Sequence, residues 1–453
     1  MDHIEEKIIR QVEKNREEII RFARDIYAHA ELGFKETRSA AKFEEQMRAL
    51  KLPLINRELA VTGVKAYLKT GCGEPCLALI GELDALRIPT HPYANPETQA
   101  AHSCGHHAQL AGVVGAAIAL ADVEVAAALD GNVVFFAVPA EEYGEISFKN
   151  ELRDAGMIRY GGGKCELIRI GAFDDISLSI AHHSSNEGLA VGNGSSNGFV
   201  SKIVRILGRA AHAAAGPHLG VNALNAAALG HTAMQFHRET YRDEDSVRIH
   251  SIITKGGDQV NVIPDEITLE IQVRGKTIEA ILDANRKTNR SYMAGAYALG
   301  AGCEIETLPG YLPMIPTPAH PALVEAAGLA SGGAAVALTN PGTHGSASSD
   351  VGDLQHIQPV LNFTTGGTTG AYHSPLFEIV DEEEAYVTTA KIFALGAYRL
   401  LKDKAAVARE IIRSYKPVFT RATYVAFMES LIKKERRDIE LPDRGHVGDT
   451  AIG

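Results

Sequence analysis

Apolar side chains recur at helical spacing through the first thirty residues (Ile4, Ile8, Ile9, Val12, Ile19, Ile20, Phe22, Ile26), with charges between them. That pattern predicts an amphipathic helix over 3–30. Residues 30–36 read as a turn, followed by a second helix to roughly Leu50. The period then changes. Val61–Lys69 and Cys76–Glu82 read as strands, and the second is nearly all apolar, as expected of a strand covered on both faces. Residues 85–105, rich in Pro, Thr and His, form a loop. The run HHAQLAGVVGAAIALA, from His106 through Ala121, predicts a small-residue helix suited to close packing on a sheet. Asn132–Val138 and Ile176–Ala181 are further buried strands.

Near Gly192–Asn197 the texture shifts. The chain then reads as strand 199–208, helix 221–239, strands 247–255 and 266–274, helix 276–300 and strand 302–308. This β-α-β-β-α-β order is ferredoxin-like. At 453 residues two domains are expected. They are a first domain over 1–197 and 309–453 and an inserted one over 198–308. In the first domain, 334–338 and 359–363 read as short strands, 364–370 as a Gly/Thr-rich loop and Val380–Leu401 as a helix. The charged run Lys433–Arg437 is expected to be the solvated face of a surface helix.

Net charge is −11 with no long basic run, which excludes nucleic acid as a main partner. No stretch reads as a membrane span or signal peptide. The five cysteines (Cys72, Cys76, Cys104, Cys165, Cys303) are few and odd in number. They suggest no disulfide framework, and a cytoplasmic protein is expected. Cys72 and Cys76 flank a turn, but two more ligands for a metal knuckle are not near them in sequence.

The candidate chemistry lies at strand ends. One buried strand ends in Glu82 and Asp84, which point the same way on an extended chain; the second ends in Glu141-Glu142 and the third in His182-His183. Between the first two, His102-Ser103-Cys104-Gly105-His106-His107 leads into a helix, whose dipole favours a thiolate. Strand ends are where open α/β sheets place ligands, and these residue types are those that hold a divalent metal. Glu141 and Glu142 can divide two tasks, one on the metal and one on water, provided that a turn or bulge sends them apart.

Taken together, Ala30-Glu31-Leu32-Gly33-Phe34, Glu82-x-Asp84-Ala-Leu, Cys104-Gly105-His106, Pro139-Ala140-Glu141-Glu142, Gly208-x-Ala-Ala-His212, Asn261-Val-Ile-Pro264 and His373 occur in the order seen in M20-type metallo-amidohydrolases. The chain resembles the branch with aminobenzoyl-glutamate and acyl-amino-acid hydrolases over roughly residues 20–400. The resemblance implies an α/β, zinc-peptidase-like three-layer catalytic domain with an inserted ferredoxin-like lid that mediates dimerisation. It implies metal ligation by Cys104, His106, Glu142, His183 and His373, with Glu141 as general base. Asp84 would orient ligands, His212 would polarise the scissile carbonyl, and Asn261 and Arg274 would bind substrate. Asp350 and Asp353, in a Ser-x-Asp-Val-Gly-Asp stretch, would support the site.

Three positions depart from the branch: His107 stands for an acidic or amide residue, Arg87 for Pro, and Ser184 for Pro or Val. With Glu82 and His107 available as alternative ligands, the cofactor is one or two divalent ions, Zn2+ or Mn2+. The implied activity is hydrolysis of a C–N bond, the amide of an N-acyl or aromatic acyl-amino acid of aminobenzoyl-glutamate type. The expected partners are a small-molecule substrate bearing an aromatic or carboxylate group and further copies of the chain. An alternative on the same scaffold is release of ammonia from an aromatic amine, as in nitroanthranilate aminohydrolases. A third, of another class, is a binding homologue without catalysis, which the intact Glu141 speaks against.

Overall fold

A computed structural model describes residues 1–69 and 73–440; Cys72 lies outside them. The chain divides into two units: Met1–Asn197 with Gly310–Ala426, and Gly198–Pro309 with the segment from Phe427. The C-terminal segment therefore departs from the expected division, which kept all of 309–453 in one domain.

The first unit is built on an eight-stranded sheet of β1 (Leu54–Leu59), β2 (Gly63–Leu68), β3 (Cys76–Glu82), β4 (Asn132–Val138), β5 (Leu178–Ser184), β6 (Ala190–Val191), β7 (Ala337–Leu338) and β8 (Val360–Thr365), in the order β1-β2-β4-β3-β5-β8-β6-β7. The central four, β4, β3, β5 and β8, run parallel. Parallel strands are buried on both faces, which explains why their sequences are unbroken apolar runs. Alternate residues Leu77 and Leu79 of β3 and Val133, Phe135 and Ala137 of β4 pack under one helical layer. That layer holds α1 (His3–Lys14), α2 (Arg16–Ala28), α3 (Thr37–Ala49), α4 (His106–Leu120) and two later helices, Pro321–Ala330 and Thr389–Ser414. On the other face Phe136 meets Phe173, 5.1 Å between ring centroids, just after the short helix Gly163–Arg169. The result is the expected three-layer α/β architecture.

Several details differ from the sequence reading. The N-terminal helix is broken at Asn15, whose side-chain amide donates to the Gln11 carbonyl at 2.8 Å, competing with the helical backbone. Strand β1 and helices Ile146–Asp154, Gly163–Arg169 and Pro321–Ala330 had no counterpart in that reading. The helix expected from Val380 begins with a π-helical turn, Glu383–Thr388, and runs on past a break at Lys402–Ala405.

The second unit has the expected ferredoxin-like order: strand Gly198–Leu207, helix Ala223–Phe236, strands Arg248–Lys255 and Glu266–Gly275, helix Ile278–Ala298, strand Gly302–Pro309. Its antiparallel sheet gains a fifth strand, Lys433–Arg437, paired with Gly302–Pro309. The run expected to be a helix face is thus a strand. The cause is complementary charge: Lys434 lies 3.4 Å from Glu306, and Arg436 3.7 Å from Glu304.

Lys202 points from Gly198–Leu207 into this unit's core, fully buried, and its ammonium donates to Thr307 Oγ1 at 2.7 Å. Burial pulls its pKa down from 10.5 to about 7. Between those values the unfolded chain holds more protons than the folded one, so this residue's contribution to stability improves as pH rises through the window. Lys202→Met should remove that rise and stabilise the unit below the window by about 1–3 kcal/mol, read by urea unfolding at pH values on either side.

Candidate metal centre

The site forms at the C-terminal ends of the parallel strands. Glu82 is the last residue of β3, with Asp84 just beyond. Glu141 and Glu142 follow β4 after a turn in which Ala140 takes a φ of 47°, so a turn rather than a bulge separates their directions. The backbone of this turn is held at many points. The Ala140 amide donates to Glu36 Oε1 at 2.8 Å, the Glu142 amide to Asp84 Oδ2 at 2.8 Å, and Lys149 Nζ to the Glu142 carbonyl at 2.8 Å. The Tyr311 hydroxyl donates to the Glu141 carbonyl.

The two neighbouring histidines of β5 go to opposite faces, as alternation on a strand requires. His182 packs 4.8 Å from the Phe363 ring and bonds Thr365 Oγ1 at 2.7 Å. His183 instead brings Nε2 to 3.4 Å from Cys104 Sγ, while its Nδ1 donates to the Ser184 carbonyl. The strand extends three residues past the expected end because Phe363, Thr364 and Thr365 pair with His182, His183 and Ser184.

Cys104 and His106 straddle Gly105, which caps α4 at φ +86°. A Cβ there would lie 2.6 Å from Ser184 Oγ, so glycine is demanded by conformation and by space. His106 Nδ1 donates to the Asp84 carbonyl at 2.9 Å and lies 3.3 Å from Asp84 Oδ1. This leaves Nε2, 3.1 Å from Glu82 Oε2 and 4.0 Å from Glu141 Oε2, as the outward nitrogen. His373 Nε2 lies 3.1 Å from Glu142 Oε1.

Three overlapping sets of ligand atoms result, each within 4.8 Å: Cys104, His106 and His183; Cys104, Glu142 and His373; Glu82, His106 and Glu141. Two buried atoms in these sets, His106 Nε2 and Glu142 Oε1, have no hydrogen-bond partner. Buried polar atoms without partners are uncommon, and each would be satisfied by a cation shared with the Cys104 thiol and a second imidazole, His183 beside His106 and His373 beside Glu142. The donor set therefore fits a divalent metal.

The electrostatics without metal match that picture. Burial, then the charge of Glu142, holds the Cys104 thiol far above its usual range. Burial works against a charged His106, but Glu82, Cys104 and Asp84 carry its pKa well above normal. Burial, then Glu82, Glu142 and Asp350, raises Glu141 strongly. Burial pushes Asp84 up, yet the His106 contact and the Glu142 amide hold it down to about 2.

The structure does not bring His107 to this group. It is fully buried behind it, with Nε2 3.2 Å from the Tyr386 hydroxyl and its ring 4.7 Å from Tyr27. His102 stacks beside it at 5.2 Å. The large apolar environment, which lowers the pKa of both rings, explains why a motif of adjacent imidazoles divides into a ligand-like half and a packing half. Arg87 is exposed and donates to Gln99 Oε1 at 3.0 Å.

In the second unit His212 is exposed, and its Nδ1 accepts from the Ala214 and Ala215 amides at 3.2 and 3.1 Å. In a neutral ring that puts the proton on Nε2 as a donor. Asn261 is exposed nearby, its carbonyl accepting from the Ala213 amide. Arg274 lies 5.3 Å over the Phe199 ring and donates to Gln272 Oε1 at 2.7 Å.

Sequence reasoning missed Glu36, Lys149, Lys164 and Tyr311. Glu36 is wholly buried, accepts from Thr62 Oγ1 at 2.6 Å, and is raised to about 8 by burial and then by Asp84. For Lys164 a signal existed: it follows Gly161-Gly162-Gly163, and a Cβ on Gly163 would strike the Pro139 carbonyl at 1.6 Å. Lys149 and Tyr311 carried no local signal.

The family model described as peptidase family M20/M25/M40 matches residues 78–398, well over half the chain. The Xaa-Arg dipeptidase of Mus musculus is 32% identical over 210 residues, 46% of this chain and 43% of that protein. A p-aminobenzoyl-glutamate hydrolase homolog of Haemophilus influenzae is 30% identical over 229 residues, 48% of this chain and 49% of that protein. The matched region thus spans less than half the length of both. A solved dinuclear metal-binding M20 peptidase of Bacillus subtilis has the same fold, with a TM-score of 0.60 at 23% identity over 86% of this chain and 99% of that one.

Proposed function

The chain belongs to peptidase family M20/M25/M40, and on that footing we propose that it is a metal-dependent hydrolase of the amide bond in an N-acyl or aromatic acyl-amino acid. The observation that carries this reading is Cys104. Its sulfur is common to two ligand sets, one with His106 and His183 and one with Glu142 and His373. Each set could hold a divalent ion, so the residues present would take one or two. Sulfur and nitrogen donors favour Zn2+ on one side, and carboxylate oxygen tolerates Mn2+ on the other.

A divalent metal held there would lower the pKa of a water and polarise the substrate carbonyl. Glu141 takes the proton of the attacking water and returns it to the leaving nitrogen, a task that its raised pKa suits. Asp84 holds the His106 imidazole through its backbone carbonyl and the Glu142 amide through its carboxylate, so one residue orients two ligands. His212 offers its Nε2 proton to the oxygen on which charge develops. Asn261 and Arg274 take the substrate's carboxylate or carbonyl groups.

Incubation with panels of acyl-amino acids and of aromatic amines, scoring free amino acid against free ammonia, tests the reading. Ammonia from the amines with no amino acid released would replace it by the deaminase alternative. That alternative rests on the departures at Arg87, His107 and Ser184, and of these His107 sits against the Tyr386 hydroxyl and not with the ligands.

His212→Ala should lower kcat by about 100-fold with metal content unchanged. We assign the chain a homodimer, supported by the edge strand Arg248–Lys255 with Ile252 and Ile253 exposed. If His212 serves the partner's centre, mixing His212→Ala with Glu141→Gln subunits should restore part of the activity. If it serves its own, the mixture stays inactive. We assign the cytoplasm as the compartment, because Cys104 can ligate a metal only while reduced.

A further inference from the structure

Lys164 has no exposed surface, and Glu82 and Asp350, also buried, flank it. Its ammonium lies 2.5 Å from Glu82 Oε1 and 2.6 Å from Asp350 Oδ1, and its backbone N–H donates to Asp350 Oδ2 at 2.8 Å. The other oxygen of Glu82, Oε2, accepts from Gln109 Nε2 at 2.8 Å, while the Glu82 amide donates back to Gln109 Oε1 at 3.1 Å. The same Oε2 faces His106 Nε2. Both oxygens of Glu82 are therefore engaged within the protein.

This matters because Glu82, His106 and Glu141 are close enough together to hold a cation of their own. A dication brought to Glu82 would meet the Lys164 ammonium already seated on that carboxylate. Like charges a few ångströms apart in a dry interior repel strongly, and moving Lys164 aside would leave it buried without its counter-ion.

We propose that Lys164 is a positioning residue that serves as a built-in monovalent cation: it spans Glu82 and Asp350, withholds Glu82 from the metal, and confines divalent ions to the ligands gathered round Cys104. The proposal rests on the metal-centre reading above. Glu82 then lies beside the metal-facing Nε2 of His106 without binding the ion, and Asp350 acts only through Lys164.

Counting bound ions tests this without reference to turnover. Wild type, Glu82→Gln, Lys164→Ala and the double variant Glu82→Gln/Lys164→Ala are loaded with Mn2+, freed of excess and measured by elemental analysis, with affinity from chelator competition. Glu82→Gln should keep the wild-type count, with affinity weakened by no more than about 100-fold, the upper range for a group that touches a ligand and not the ion. Lys164→Ala should take up one more ion per chain, in the place vacated between Glu82 and Asp350. The double variant should return to the wild-type count. Loss of an ion in Glu82→Gln overturns the proposal, and so does an unchanged count in folded Lys164→Ala. Should Lys164→Ala not fold, Glu82→Gln still decides. Wild type that takes up no ion at all would instead overturn the metal-centre reading.

Discussion

Glu141→Gln should cut turnover by about a thousandfold while the protein keeps its full complement of metal. The substitution preserves shape and removes only the ability to take a proton. Glu141 is 7% exposed, and the Tyr311 hydroxyl holds its peptide carbonyl, so its carboxyl group cannot drift far. Burial and three neighbouring carboxylates raise its pKa in the metal-free protein, which makes it a stronger base than a free carboxylate. Its neighbour Glu142 is committed elsewhere, with Oε1 against His373. The checks are kcat on an acyl-amino-acid substrate, the pH–rate profile and elemental analysis of the same preparation. The acidic limb of the profile should vanish with the activity. Turnover above a tenth of wild type would move the base to another residue, and the nearby buried Glu82 would be the next to change.

The second large effect concerns metal uptake and pH. In the metal-free protein the Cys104 thiol is held protonated by burial and by Glu142, and His106 is held protonated by Glu82 and Asp84 against the cost of its burial. A metal needs both groups without those protons, so protons and metal compete. Below both raised pKa values each rise of one pH unit should strengthen apparent affinity by about a hundredfold, tenfold for each proton released. Cys104→Ser should weaken binding severely and reduce the pH slope. Competition against a chromophoric chelator across the neutral range gives both numbers. A flat profile would mean that the Cys104 sulfur and His106 Nε2 are already free of protons, with His106 neutral and its one proton on Nδ1 towards the Asp84 carbonyl.

The periodic parts of the fold were legible from sequence because burial dictates their pattern. β3 and β4 read as strands since both faces are covered, and α4 as a helix of small residues that must approach the sheet closely. The second unit was legible because Glu266–Gly275 alternates cleanly and Ile278–Ala298 is long enough to show a helical period. Helices such as Gly163–Arg169 were not, since seven residues hold too few turns to display a period. The run Lys433–Arg437 reads as a helix face because its pairing depends on acidic partners more than a hundred residues away. At the site, residues within short motifs were legible as neighbours. The choice between His182 and His183 required knowing where β5 ends, and pairing with β8 decides that. Lys149 and Tyr311 act by holding peptide carbonyls, a task that any well-placed donor can perform and that leaves no motif.

Strand Lys433–Arg437 covers the outer edge of Gly302–Pro309 and becomes the new edge of the second unit's sheet, short and mostly basic, so charge blunts it against further pairing. Arg248–Lys255 remains as the edge with a large open stretch of backbone. A sheet open on both sides can add copies head to tail without limit, and the product is a filament. With one edge blunted by charge, edge-to-edge addition through Arg248–Lys255 would have a single solution, in which two copies present the same strand to each other about a two-fold axis and growth then stops. The short basic tail strand would in this way set the size of the assembly. Deleting it would open the way to fibres before it changed the chemistry.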